Sequence, residues 1–149
     1  SSKAPENTYE SFDLAISTGS KYIEFDVHLS KDNEVVIIHD DTVDRTSNGE
    51  GKVNSKSLEE LKKLDFGSWF SSNYTGAKIP LLKDVLDKYM NAIGGIENIE
   101  NIRGDRKLMR RICQPIERWA VAKLGQSGVK YQIDEEKEAD HWIEVGEVH

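Results

Sequence analysis

The spacing of apolar positions changes several times along this chain, and each change predicts an element. Tyr9, Phe12 and Ile16 recur at helical spacing with Ala15 beside them. Asn7-Thr8-Tyr9-Glu10 has the form of a capping box with Asn7 at the N-cap, and Gly19 supplies a left-handed stop. Between Lys21 and Leu29 the period falls to two. Glu24, Asp26 and His28 alternate with Phe25, Val27 and Leu29, so the three polar groups share one face of a strand. Ser30-Lys31-Asp32-Asn33 is turn chemistry, and Glu34 to His39 is a nearly continuous apolar strand of the kind buried on both faces in parallel sheets.

Residues 40–57 read as a loop, with Asp41, Asp44, Ser47, Asn48, Gly49 and Gly51. Ser57 to Glu60 is a second capping box, opening a short helix through Leu58, Leu61 and Leu64. Phe66-Gly67-Ser68-Trp69-Phe70 forms an aromatic loop. Pro80 then stands in the first turn of an amphipathic helix whose face is Leu81, Leu82, Val85, Leu86 and Tyr89. Strand alternating with helix is the α/β pattern. Beyond Tyr89 the character changes. A short strand is expected from Ile96 to Ile102, followed by a basic stretch from Arg103 to Leu124 interrupted by Pro115. A turn follows at 125–128, then the acidic run 134–138 and a tail carrying Trp142, Ile143 and Val145. The organisation expected is therefore 1–102 as one α/β body and 103–149 as a basic and acidic segment of helix and strand character.

Composition narrows the classes. The 149 residues carry 20 Lys and Arg against 27 Asp and Glu, a net charge of −7. That balance argues against nucleic acid as the default partner, while a bound divalent cation would still admit an anionic substrate. The bases between Arg103 and Lys123 read as the wet face of a segment whose Met109, Ile112, Ile116, Trp119 and Leu124 pack inward. No apolar run approaches the ~20 residues that span a bilayer, so an integral membrane protein is not expected. Cys113 is the single cysteine, which excludes an internal disulfide framework. The chain opens Ser1-Ser2-Lys3-Ala4-Pro5, with no Met and no basic start leading into an apolar stretch, and a cytoplasmic location is the expectation.

The candidate chemistry lies in Glu24-Phe25-Asp26 and in His39 at the end of the next strand. Two carboxylates at i and i+2 on a strand face converge on a hard cation such as Mg²⁺ or Ca²⁺. A cation with a histidine of near-neutral pKa suits phosphate ester cleavage. On spacing alone a solvated strand face and an ordinary strand-end histidine are the favoured reading, and Asp40, Asp41 and Asp44 read as turn acids.

Longer strings go further. Ala4-Pro5-Glu6-Asn7-Thr8, Tyr22 to Val27, Val36 to Gly49 and Leu64 to Trp69 together resemble the glycerophosphodiester phosphodiesterase family over about residues 4–89. The resemblance implies a TIM barrel that hydrolyses glycerophosphodiesters to glycerol 3-phosphate and an alcohol with a divalent cation. It implies Glu24 and Asp26 as metal ligands and His39 as the general acid or base. Glu6 would be an active-site, substrate-binding residue or a helix-capping support. Asn98-Ile99-Glu100 matches the family's third metal-binding glutamate, so Glu100 is the remaining candidate ligand, although Ile102 stands where the family has lysine. His28 shares the acidic face and would line the pocket.

Three departures accompany the match. The family's His-Arg-Gly motif, with a catalytic histidine and a phosphate-binding arginine, precedes the Pro-Glu-Asn string, and only Ser1 to Ala4 stand before Pro5. Barrels of this kind take about 250 residues. Residues 103–149 do not resemble the later barrel strands. The fold expected is thus a partial TIM-barrel (β/α) fragment with a divergent C-terminal segment, and the chain alone is expected to turn over slowly or not at all. Open sheet edges favour association into a homo-oligomer. The alternative function is a non-catalytic binding or assembly module that keeps the metal-binding strand.

Overall fold

The computed structural model describes residues 3–20, 23 and 25–93, together with the backbone of 99–102, 129–132 and 141–145; side chains are described through Tyr89. Two compact units divide at 85/86.

In the first unit, α1 spans Tyr9–Ser17. Its N-cap is Thr8, not Asn7: the Thr8 hydroxyl accepts from Ser11 N and the Ser11 hydroxyl accepts from Thr8 N, each at 3.3 Å. Asn7 instead takes the left-handed conformation, φ 54°. That conformation removes it from the extended geometry a cap requires, and Asn tolerates it better than most residues. Phe12 is buried on the expected face, and Gly19 ends the helix with φ 87°.

Strand β1 (Val27–Leu29) and strand β2 (Val35–Ile37) pair antiparallel, with Val27 opposite Ile37 and Leu29 opposite Val35. The parallel arrangement suggested by the apolar run is therefore corrected. Five residues separate the strands, far fewer than a crossover requires. Asn33 in the left-handed region (φ 63°), with Ser30 and Glu34 bonded across the turn, closes a hairpin. Burial on both faces is nonetheless observed: Val35, Val36, Ile37 and Ile38 are all buried. Val36 and Ile38 face a core of Val43, Val53, Leu61, Phe66, Ile79 and Leu81.

The stretch 40–57 is less of a loop than its composition suggests. Val43 N donates to Gly51 O and Val53 N to Asp41 O, each at 2.9 Å. Both valines thereby enter the core, and a one-turn 3-10 helix follows at Val53–Ser55. Helix α2 (Leu58–Lys63) carries the predicted capping box, with Ser57 N donating to the Glu60 carboxylate at 2.7 Å. The aromatic loop is held by Asp65, whose carboxylate accepts from the backbone N–H of Gly67, Ser68 and Gly76 at 2.8–3.0 Å. These three donors hold its carboxyl well below the usual range. Helix α3 (Leu82–Ile93) begins two residues after Pro80, because Pro80 O accepts from Ile37 N and Leu81 bridges to Val36. Its predicted apolar face, Leu82, Val85, Leu86 and Tyr89, is buried.

In the second unit, β3 (Ile99–Ile102), β4 (Val129–Gln132) and β5 (His141–Val145) form an antiparallel sheet in the order β3-β5-β4. β3 falls within the predicted 96–102 strand and meets β5 with a shift of register between Ile99 and Ile102. β4 and β5 fall within the 103–149 segment, for which helix and strand character is expected without bounds. The basic stretch 103–124, the turn 125–128 and the acidic run 134–138 lie outside the described residues.

Candidate active site

The hairpin register brings the candidate chemistry together. Ile38 N donates to Asp26 O at 3.0 Å, extending the β1–β2 ladder and setting His39 one residue beyond the partner of Asp26. From the same strand, His28 Nε2 lies 3.0 Å from His39 O. A carbonyl oxygen only accepts, so His28 carries its proton on Nε2 in this contact. His28 thus pins the His39 backbone.

Among the described residues the His39 imidazole is tied on one side only. Its Nδ1 lies 2.8 Å from Asp40 Oδ1. Asp40 is in turn gripped by Arg45, with Nε to Oδ2 and Nη2 to Oδ1 both at 2.9 Å. The opposite edge of the guanidinium meets Glu6, with Nη1 to Oε2 at 3.0 Å and Nη2 to Oε1 at 2.6 Å. Two parallel N–H···O contacts to each carboxylate are the geometry a planar guanidinium offers and an ammonium does not.

Charges respond accordingly. The Arg45 guanidinium, then the His39 ring, hold the Asp40 carboxyl well below the usual range. Glu6 is lowered by Arg45 in the same way, against partial burial. Arg45 is held still more firmly protonated by Asp40 and Glu6. His39 is raised above its ordinary value, first by its hydrogen bond to Asp40 and then by the negative charge of Asp26. The electrostatics therefore join Asp26, Asp40 and Glu6 to one exposed imidazole.

Of the residues singled out from sequence, Glu6, Asp26 and His39 fall in this neighbourhood. Glu24 lies outside the described residues, and Glu100 stands in β3, where only the backbone is described. Glu6 does not cap α1; its carboxylate is committed to Arg45. Asp44 does behave as a turn acid, accepting from Gly51 N at 2.9 Å. Asp40 does not, and Arg45 received no role from sequence reasoning. The signal for Arg45 was weak: an arginine five residues beyond a strand-end His-Asp pair, within the string Asp44-Arg45-Thr46. Among the described residues no three His, Cys, Asp or Glu side chains gather to hold an ion. Asp26 on its own suits an oxygen-donor site for a hard cation, being an exposed carboxylate whose charge is felt at His39.

A profile of the glycerophosphoryl diester phosphodiesterase family matches residues 1–113. The chain belongs to that family. The match takes in Glu6, Asp26, His39, Arg45 and Glu100 alike. The Bacillus subtilis protein YhdW is 53% identical over 91 residues, which are 61% of this chain and 37% of YhdW. The glycerophosphodiester phosphodiesterase of Agrobacterium tumefaciens superposes with a TM-score of 0.59 at 42% identity, over 60% of this chain and 39% of that one. A phosphodiesterase of Oleispira antarctica, solved with sn-glycerol-3-phosphate as product, gives 0.57 at 42% identity, over 63% and 36%. The chain spans a little over a third of the length of these relatives. Among the described residues no helix is long and apolar enough to cross a membrane.

Proposed function

We propose that this chain carries part of the active site of a phosphoric diester hydrolase acting on glycerophosphodiesters, its described elements being the amino-terminal part of a (β/α) barrel. The observation that carries the reading is the exposed His39 imidazole, backed by Asp40 and standing in the negative field of Asp26. Held so, the ring donates a proton to a departing alkoxide or takes one from an incoming hydroxyl, work that contributes about 10²–10⁴-fold. Glu6 belongs to the edge of the substrate site, its carboxylate oxygens turned towards Arg45.

Asp26, with Glu24, would hold a divalent cation, Mg²⁺ or Ca²⁺ by the hardness of carboxylate oxygens. When bound, such a cation draws charge from a phosphoryl oxygen. The residues on this chain then have two tasks, holding the diester near His39 and moving its proton.

The test uses the protein that carries this sequence, glycerophosphocholine, and Mg²⁺ or Ca²⁺, with coupled detection of glycerol 3-phosphate. Release should fall by about 10²-fold or more in His39→Ala, the loss of a general acid or base. It should also become insensitive to added cation in Asp26→Asn. Release that persists undiminished in His39→Ala overturns the reading.

A further inference from the structure

Resting on the reading above, we propose that Arg45 is a positioning residue for His39: it clamps Asp40 against the Glu6 carboxylate and so fixes which imidazole nitrogen meets the substrate. Four N–H groups of the guanidinium are spent, two on each carboxylate, at 2.6–3.0 Å. The two acids come from parts of the chain 34 positions apart, and without the cation between them they would face each other as like charges. Arg45 is therefore the reason Asp40 stays where it is. Asp40 Oδ1 accepts at once from Arg45 Nη2 at 2.9 Å and from His39 Nδ1 at 2.8 Å. An ionised carboxylate accepts only, so Nδ1 must carry the proton in the neutral ring.

The remaining atom, Nε2, is then the one with a free lone pair. The His39 side chain that carries it is 64% exposed. The contact of His28 Nε2 with His39 O, 3.0 Å, holds the same residue from its backbone side. The ring is thus oriented before any substrate arrives. Proton transfer is assigned to Nε2, and the side-on grip needed to keep Asp40 in place suits arginine's planar fork, which lysine lacks.

The experiment is ¹⁵N-edited NMR of the imidazoles in the full 149-residue chain, without substrate or metal, at a pH where His39 is neutral. The chain has four histidines, and loss of one set of signals in His39→Gln assigns the ring. The expected result is a dominant Nδ1–H form in the unaltered chain. In Arg45→Ala and Arg45→Lys the ratio of Nδ1–H to Nε2–H should fall about tenfold, the worth of a hydrogen bond to a charged group. An unchanged ratio in folded Arg45 variants overturns the proposal. If Arg45→Ala does not fold, Arg45→Lys, which keeps the charge, and Glu6→Gln, which loosens the clamp from its other side, decide between the same two outcomes. The readout needs no turnover. A shifted ratio in a protein that releases no glycerol 3-phosphate sinks only the hydrolase reading, and an unchanged ratio in an active protein sinks only the clamp.

Discussion

Replacing Arg45 with methionine keeps much of the aliphatic stem and deletes the fork, which isolates the electrostatic work of the cluster. Four N–H···O contacts at 2.6–3.0 Å disappear, and Glu6 and Asp40 lose their shared counter-charge. The three side chains are 47%, 30% and 27% exposed, so solvent screens the pairing and the full value of a buried charged pair does not apply. Two bidentate pairs, each near the top of the exposed range at about 1 kcal/mol, give an expected loss of about 2 kcal/mol at neutral pH. The loss should shrink at high salt. Its pH dependence has a definite sign. Glu6 and Asp40 are lowered in the folded chain, so their contribution is complete above the ordinary carboxylate range of about 4. It fades as pH falls through the folded values, and the difference between Arg45→Met and the unaltered chain should fade with it. Urea titration followed by circular dichroism measures the loss, provided that the slope with denaturant stays the same. A neutral-pH loss below about 0.5 kcal/mol, or one that stays constant into acid, would refute this account of the cluster.

Gly67→Ala should cost about 3 kcal/mol or more, because a methyl there overlaps the Tyr74 carbonyl oxygen and lies 2.8 Å from the Ala77 Cβ. Gly19→Ala, at φ 87° in open space, should cost only about 1 kcal/mol, so the two midpoints in urea ought to separate clearly. Asn33→Val places a β-branched residue at φ 63° in the hairpin turn and should lose about 1–2 kcal/mol, whereas Asn33→Gly should lose little by the same measurement. The His39 imidazole should titrate above its ordinary value of about 6.5 by NMR, and Asp40→Asn should bring it down. The stability that this contact adds is complete below about 6.5 and is lost as pH rises through the folded value, so a His39 that titrates at or below the ordinary value contradicts the structure.

What the sequence made legible follows the strength of local signals. The apolar faces at Phe12, Leu61 and Leu82 to Tyr89 were readable because helical periodicity and burial express the same amphipathic face. The Ser57 and Glu60 box was readable because both partners lie within one turn. The α1 cap was misplaced by one residue, since Asn7 and Thr8 are both good caps and only backbone φ separates them. Strand direction was missed where a continuous apolar run outweighed a short turn. Asp26 and His39 were visible by residue type. Arg45 was not, because its importance comes from meeting Glu6 across the fold, a contact that no local period encodes.

The hairpin is the central element of the site, because contacts across the fold depend on its register. The turn 30–34 contains no candidate catalytic residue, yet it sets the register that puts Asp26 O on Ile38 N and hence Asp26 beside His39. A slip of one residue would turn His39 to the opposite face and carry Asp40 away from Arg45. The turn is secured from outside the hairpin as well: Asp32 Oδ1 accepts from the Ser30 hydroxyl at 2.6 Å and from Leu58 N at 2.9 Å, at the start of α2. Lys31 N donates to Lys56 O at 2.8 Å just before it. Helix α2 is in turn fixed by the burial of Leu61 in the core that Val36 and Ile38 share. The position of one imidazole therefore depends on a chain of contacts running from a helix cap through a turn to a strand end. The Glu6–Arg45–Asp40 cluster closes that chain from the amino-terminal side.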